Sequence, residues 1–213
     1  MEYINQGIIL RAQDFKDADN LYSILTLDNG LIRATAKSVK KSSSKLSGFL
    51  VPSNQVILML AGNKSTLSKI AQVKVIKTYS QIFQDHEIFL LFSQMVEVLL
   101  GALKENLPDQ KIYDSSLSFL DDLDNQQLSL ERKKILQLAY FAHLFKILGF
   151  SPNKFKIKSE LLSNFLNLLF KNDYLKNREL MIKLKVIEAD FLILKNWFIN
   201  YIQNTLESKL NSF

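Results

Sequence analysis

The chain has 213 residues, no cysteine, two histidines and a formal net charge of +6. That length predicts one large or two small domains, with enough buried surface to fold without a staple. The composition excludes disulfides, thiolate zinc sites, iron–sulfur clusters and a cysteine nucleophile, and it leaves almost nothing for a histidine metal site or a Ser-His-Asp triad.

Taken in chain order, the first 78 residues read as strands. Ile8 to Leu10 is one and Leu21 to Leu27 a second, followed by the hairpin signal Asp28-Asn29-Gly30. The next strand, Leu31 to Lys37, alternates: Ile32, Ala34 and Ala36 point one way, and Arg33, Thr35 and Lys37 the other. Lys40 to Lys45 is a polar loop. Val56 to Leu60 is an apolar run of strand length, and Ala71, Val73 and Val75 alternate with Gln72 and Lys74 in a last strand after the Gly62-Asn63 turn. Five short antiparallel strands with one longer excursion predict a small closed barrel, and the five-stranded OB-fold matches by size.

After Tyr79 the period changes to helical. Ile88, Phe92, Val96, Leu99 and Leu103 recur every three or four residues, and Asn106-Leu107-Pro108 ends that helix. Further helices are expected over 110–123, 130–148 and 159–170, and a long one over 179–206. The third, apolar nearly all round, should be the buried centre of a bundle, with Gly149 as its C′ residue and His143 a core histidine. The last carries the stripe Leu180, Leu184, Ile187, Phe191, Leu194, Phe198, Tyr201, which closes a bundle more readily than it makes a coiled-coil dimer. The expected fold is therefore α+β with two domains: a five-stranded OB-fold barrel over 1–78 and an all-α helical bundle over 79–213.

The charge is unevenly placed. Residues 1–78 hold 11 Lys/Arg and 5 Asp/Glu, whereas 79–213 hold 16 of each. Arg33, Lys37, Lys40, Lys41 and Lys45 follow one another with no acid between, and Arg11 extends the track. Such a field attracts a polyanion, nucleic acid above all; a solvated basic loop and an anionic lipid surface are the competing readings. Tyr3, Phe15, Tyr22 and Phe49 are candidate base-stacking platforms or core. In the neutral half, Arg132, Lys133 and Lys134 cluster at the start of the most apolar helix, with Lys146 at its other end. Asp121, Asp122 and Asp124 could serve as oxygen ligands for magnesium, or be ordinary acids at a helix end. Neither G-x-G-x-x-G nor G-x-x-x-x-G-K-[ST] occurs, which argues against nucleotide chemistry. The start of the chain shows no export signal, and the most apolar stretch, 88–103, is short for a membrane span. A cytoplasmic, nucleoid-associated protein with no membrane contact is expected.

Gly7-Ile8-Ile9-Leu10-Arg11, Asp17-Ala18-Asp19-Asn20-Leu21, Gly30-Leu31-Ile32-Arg33-Ala34-Thr35-Ala36-Lys37 and Ser44-Lys45-Leu46-Ser47-Gly48 resemble, in order and spacing, the start of the bacterial DNA repair protein RecO family. Leu136 to Pro152 looks like that family's central helix and its Gly-Phe-x-Pro ending, and Leu206 to Phe213 is similar to its terminus. Two departures stand out. Ser38 replaces the family's usual glycine, and Asn153 to Lys158 stands where many members carry a four-cysteine zinc element. The resemblance implies a recombination mediator that is not an enzyme; with no cysteine and two distant histidines, no metal and no cofactor are expected here. Such proteins bind single- and double-stranded DNA, anneal complementary strands and work with RecR. They help RecA load onto strands coated by single-strand-binding protein, whose acidic, apolar-ended C-terminal tail they dock. Arg11, Arg33, Lys37, Lys40, Lys41 and Lys45 are then the DNA-binding candidates, and Arg132, Lys133, Lys134 and Lys146 the tail-binding ones. A general single-stranded-DNA-binding module and a helical scaffold with an incidental basic barrel are the alternatives.

Overall fold

The computed structural model describes residues 2–40, 44, 46–62, 67–152, 159–183 and 188–206. Five strands form a closed barrel in the order β1-β2-β3-β5-β4: β1 (Glu2–Lys16), β2 (Asp19–Thr26), β3 (Gly30–Ala36), β4 (Gln55–Ala61) and β5 (Ser68–Lys77). Among the described residues six α-helices follow: α1 (His86–Ala102), α2 (Gln110–Asp124), α3 (Leu130–Ile147), α4 (Glu160–Lys171), α5 (Tyr174–Lys183) and α6 (Glu188–Leu206). This is the expected α+β plan of an OB-type barrel followed by helices. The chain divides into two compact units, one of residues 1–80 with 102–113 and the other of 81–101 with 114–213. The connector 102–113, placed with the helices by a division at 78, thus belongs to the barrel unit.

β1 is far longer than the expected Ile8–Leu10. Its first half pairs with β4 (Glu2 opposite Ala61 through Ile8 opposite Gln55) and its second half with β2 (Gly7 opposite Thr26 through Lys16 opposite Asp19). A bulge between Ile9 and Arg11 bends the strand so that one segment serves both sheet edges and closes the barrel. Inside lie Ile9, Tyr22, Ile24, Ile32, Ala34, Val56, Leu58, Leu60 and Ile70. The β2–β3 turn is built as its residues dictate. Gly30 sits at φ +66, Thr26 Oγ1 donates to the Gly30 carbonyl at 2.8 Å, and the Asn29 N–H donates back to Thr26 Oγ1. Thr35, expected on the exposed face, is buried, because β5 lies alongside β3 in parallel with Ser68 opposite Ala34 and Lys69 opposite Thr35.

In the second unit the helices start on Asp and Ser side chains. Asp85 Oδ1 accepts from the N–H groups of Glu87 and Ile88, Ser129 caps α3, Ser159 caps α4 and Asp173 caps α5. α3 is the buried centre, with Leu136, Ala139, Tyr140, Phe141, Ala142, Leu144 and Phe145 all shut off from solvent. It ends in a Schellman turn: the Phe150 N–H donates to the Phe145 carbonyl at 2.8 Å and the Gly149 N–H to that of Lys146, with Gly149 at φ +82. His143 is buried, and its Nδ1 accepts from the Tyr174 N–H. Over the long helix expected at 179–206 the structure describes α5, which begins earlier at Tyr174, and α6 from Glu188, with 184–187 between them outside the described residues. Of the expected stripe, Leu194 and Phe198 are buried together with Ile202, Leu180 is exposed, and Leu184 and Ile187 lie outside the described residues. No described helix is long and apolar enough to cross a membrane.

Candidate nucleic-acid interface

The outward surface of the barrel is set by its register. Residues directly opposite each other in a sheet share a face. Arg11, Ser23 and Arg33 are such a row across β1, β2 and β3, and Gln13, Leu21, Thr35, Lys69 and Ala61 form the next. Two interstrand steps separate Arg11 from Arg33, roughly 10 Å. Arg11, Arg33 and Lys69 are exposed, whereas Ser23 and Thr35 between them are buried, the Thr35 hydroxyl donating to the Ser68 carbonyl. Further along β5, Lys74 stands opposite Ile57, and Lys77 opposite Gln55 with its Nζ 4.6 Å from the Tyr79 ring centre. The outer surface thus carries a cationic band built on strands.

The loop cations fare differently. Lys37 is exposed just past β3. Ser38 follows at φ +52, its N–H donating to Asp19 Oδ1 at 2.8 Å, which draws this segment against the β1–β2 turn. The Lys40 N–H donates to the Ala18 carbonyl, and Lys40 Nζ lies 2.9 Å from Asp14 Oδ1. Arg33 is also paired, its Nε 2.6 Å from Glu105 Oε1. The run of cations that meets no acid in sequence therefore meets two in space. Lys41 and Lys45 lie outside the described residues. Among the aromatic candidates Tyr22 is core and Tyr3 is half-buried, its hydroxyl 2.9 Å from Ser68 Oγ. Phe15 and Phe49 are exposed.

In the helical unit, three consecutive cations do not make one surface cluster, because successive helical residues turn about 100° apart. Lys133 is buried, and its Nζ donates to the Leu123 carbonyl at 2.6 Å, capping the C-terminal turn of α2 where a cation suits the helix dipole. Burial pushes its ammonium below the usual lysine range, with Asp124, Asp85 and Asp122 pulling it back. Lys133 is thus no part of a groove rim. Arg132 donates to the Ile182 carbonyl, Lys134 Nζ lies 3.4 Å from Glu87 Oε2 and 6.0 Å from the Phe191 ring centre, and Lys146 Nζ donates to the Lys171 carbonyl. Lys195, which no sequence pattern singled out, sits near Lys134: burial and then the Lys134 charge push its ammonium down, offset by Glu87.

Asp122 is not a metal-facing acid but a buried hub. Tyr174 donates its hydroxyl proton to Oδ2 at 2.6 Å, and Arg178 donates to Oδ1 through both Nε and a terminal nitrogen. Burial raises the Asp122 carboxyl despite these two donors, and it raises Tyr174 as well. Asp124 instead accepts from the Gln81 N–H. Among the described residues no three His, Cys, Asp or Glu side chains converge as metal ligands would.

The strand order and closure define an OB-type barrel joined to a run of helices. Residues 1–79 match the family described as Recombination protein O N terminal. The chain is 32% identical over 112 residues to the DNA repair protein RecO of Bifidobacterium longum subsp. infantis, covering 51% of this chain and 46% of that one. It is 35% identical over 112 residues to that of Cutibacterium acnes, covering 51% and 45%. It is 26% identical over 172 residues to that of Thermodesulfovibrio yellowstonii, covering 78% and 68%. The barrel thus matches the N-terminal domain of the RecO family, and the similarity to RecO proteins runs on into the helices. It spans about half the length of the first two relatives.

Proposed function

We propose that this protein is a DNA repair and recombination mediator that binds single- and double-stranded DNA on the outer face of its barrel. It anneals complementary strands and, with RecR, helps load RecA onto strands coated by single-strand-binding protein. The observation that carries the reading is the row Arg11–Ser23–Arg33 with Lys69 beside it, on the outside of a barrel that matches this family's N-terminal domain. Cations on rigid strands track a phosphate backbone. Phe15, with Lys16 Nζ 5.4 Å from its ring centre, and Phe49 offer exposed rings for stacking.

Annealing requires two like-charged strands to be held close while bases search for partners. Exposed, separately placed cations lower that repulsion without fixing a base register. The acidic tail of single-strand-binding protein fits the helical unit. There Lys134 and Lys195 lie together with the Phe191 ring, a cationic edge beside an aromatic that suits an acidic, apolar-ended peptide.

The test is strand annealing by the full chain in the presence of cognate single-strand-binding protein, with and without its tail. Annealing of coated strands that depends on the tail supports the mediator. DNA binding that is indifferent to the tail and without annealing moves the reading to a general single-strand-binding module. No DNA binding at low salt overturns both.

A further inference from the structure

The connector between α1 and α2 folds onto the start of β3 in a defined way. The Asn106 N–H donates to the Leu31 carbonyl at 2.9 Å, and Glu105 forms a bridge with Leu31. Asn106 takes the left-handed region at φ +61 to do so. The approach is close enough that a Cβ on Gly30 would lie 2.2 Å from the Leu107 carbonyl oxygen. Leu31 and Arg33 point to the same face of β3, so this docking delivers the Glu105 carboxylate to Arg33, Nε to Oε1, at 2.6 Å.

We propose that Glu105 is an internal rival of DNA phosphate for Arg33, a carboxylate that tunes how tightly the barrel holds nucleic acid. The proposal rests on the reading of the outer face as the DNA surface. Three features carry it. First, the contact can be exchanged: the two side chains are 59% and 41% exposed, so an incoming anion reaches the pair without unfolding anything. Second, the connector does not need it. The Asn106–Leu31 hydrogen bond already fixes the backbone, and an ion pair this exposed adds little to stability. Third, a carboxylate on Arg33 Nε takes up a guanidinium donor that a phosphate would otherwise use. The Asp14–Lys40 pair repeats the arrangement at the β1–β2 turn. A face whose cations are lent to internal acids holds DNA loosely and lets strands slide, which is what a search for complementarity needs.

The experiment measures anisotropy of a labelled oligothymidylate against the full chain over a potassium chloride series. Glu105→Gln should bind about two- to fivefold tighter, with a log–log salt slope steeper by up to about 0.7. In an Arg33→Gln background the same change should do nothing. Wild-type affinity and slope in a folded Glu105→Gln, or a gain that survives Arg33→Gln, overturns the proposal. If Glu105→Gln fails to fold, Glu105→Asp replaces it, since one methylene fewer withdraws the carboxylate; a partial gain is expected, and wild-type binding overturns the proposal. Failure of the wild-type chain to bind at all sinks the DNA reading itself. A loss on Arg33→Gln with silence on Glu105→Gln sinks only the rivalry.

Discussion

The barrel unit and the helical unit handle charge in opposite ways. On the barrel, Arg11, Arg33, Lys69 and Lys74 stand outward on strands, and the acids they meet, such as Glu105, are exposed partners. In the helical unit, Asp122 and Lys133 are inside, each consumed by fixed hydrogen bonds that tie helix to helix. Charges of the first kind are worth little to stability but are available to a ligand; those of the second kind are structural and costly to disturb. Substitutions in the two units should therefore separate cleanly into losses of stability and losses of binding.

The largest effect is expected inside the helical unit. Asp122→Ala leaves Tyr174 and Arg178 without their common acceptor and should cost about 3 kcal/mol, since Arg178 can partly turn to solvent. Urea denaturation followed by helical circular dichroism measures it, and DNA affinity at native conditions should be unchanged. The pH dependence has a definite sign. The folded Asp122 carboxyl is raised, so the folded unit holds a proton that the unfolded chain has released. Its contribution is full below the unfolded value of about 3.9 and is lost as pH rises through the folded one. Asp122→Asn should remove that part of the slope. An unchanged slope would mean that Asp122 does not titrate differently on folding.

Gly30→Ala comes next. The new Cβ would meet the Leu107 carbonyl at a backbone angle that alanine avoids, so a loss of about 2–3 kcal/mol is expected in the barrel unit. A variant as stable as the wild type would show that the connector does not hold the approach described. The matching test on the outer face is Arg11→Ala with Lys69→Ala. Melting should barely move, whereas the single-strand salt slope should become shallower by about 1.4, two phosphate contacts' worth. A lowered melting temperature with an intact slope would reverse the assignment of roles.

Much of this was legible in the sequence, and what was not has physical causes. The barrel, the helices and the buried α3 follow from periodicity and turn residues, and the resemblance to RecO follows from strings that sit on β1, β2 and β3. The ends of β1 were invisible, because Glu2 to Gln6 and Asp14 to Lys16 are held by pairing with β4 and β2 rather than by their own propensity. Arg33 and Lys40 read as free cations because their acids, Glu105 and Asp14, are brought to them only by tertiary folding. Lys69 was passed over because a lone lysine in a strand carries no signal until the strand beside it is known. Lys133 was misread because adjacency in sequence is not adjacency on a helix.

Ser38 offers the smallest effect and the finest probe of the loop. The resemblance expects glycine there, and Ser38 stands at φ +52, a region that costs an L-residue about 1–2 kcal/mol. The segment accepts that cost because the Ser38 N–H reaches Asp19 Oδ1 at 2.8 Å, holding the chain after β3 against the β1–β2 turn. Ser38→Gly relieves the strain but frees the unfolded chain, which returns about 0.5–1 kcal/mol. The net gain should be no more than about 1 kcal/mol, read from the shift of the denaturation midpoint. Ser38→Ala keeps the strain and should gain nothing. Asp19→Ala should lose about 1 kcal/mol in the serine protein, because the amide loses its carboxylate. A Ser38→Gly variant less stable than the parent would mean that the serine hydroxyl contributes a contact larger than the strain. In that case the departure from glycine is a compensated one, with the loop's geometry held by the side chain as well as by the backbone.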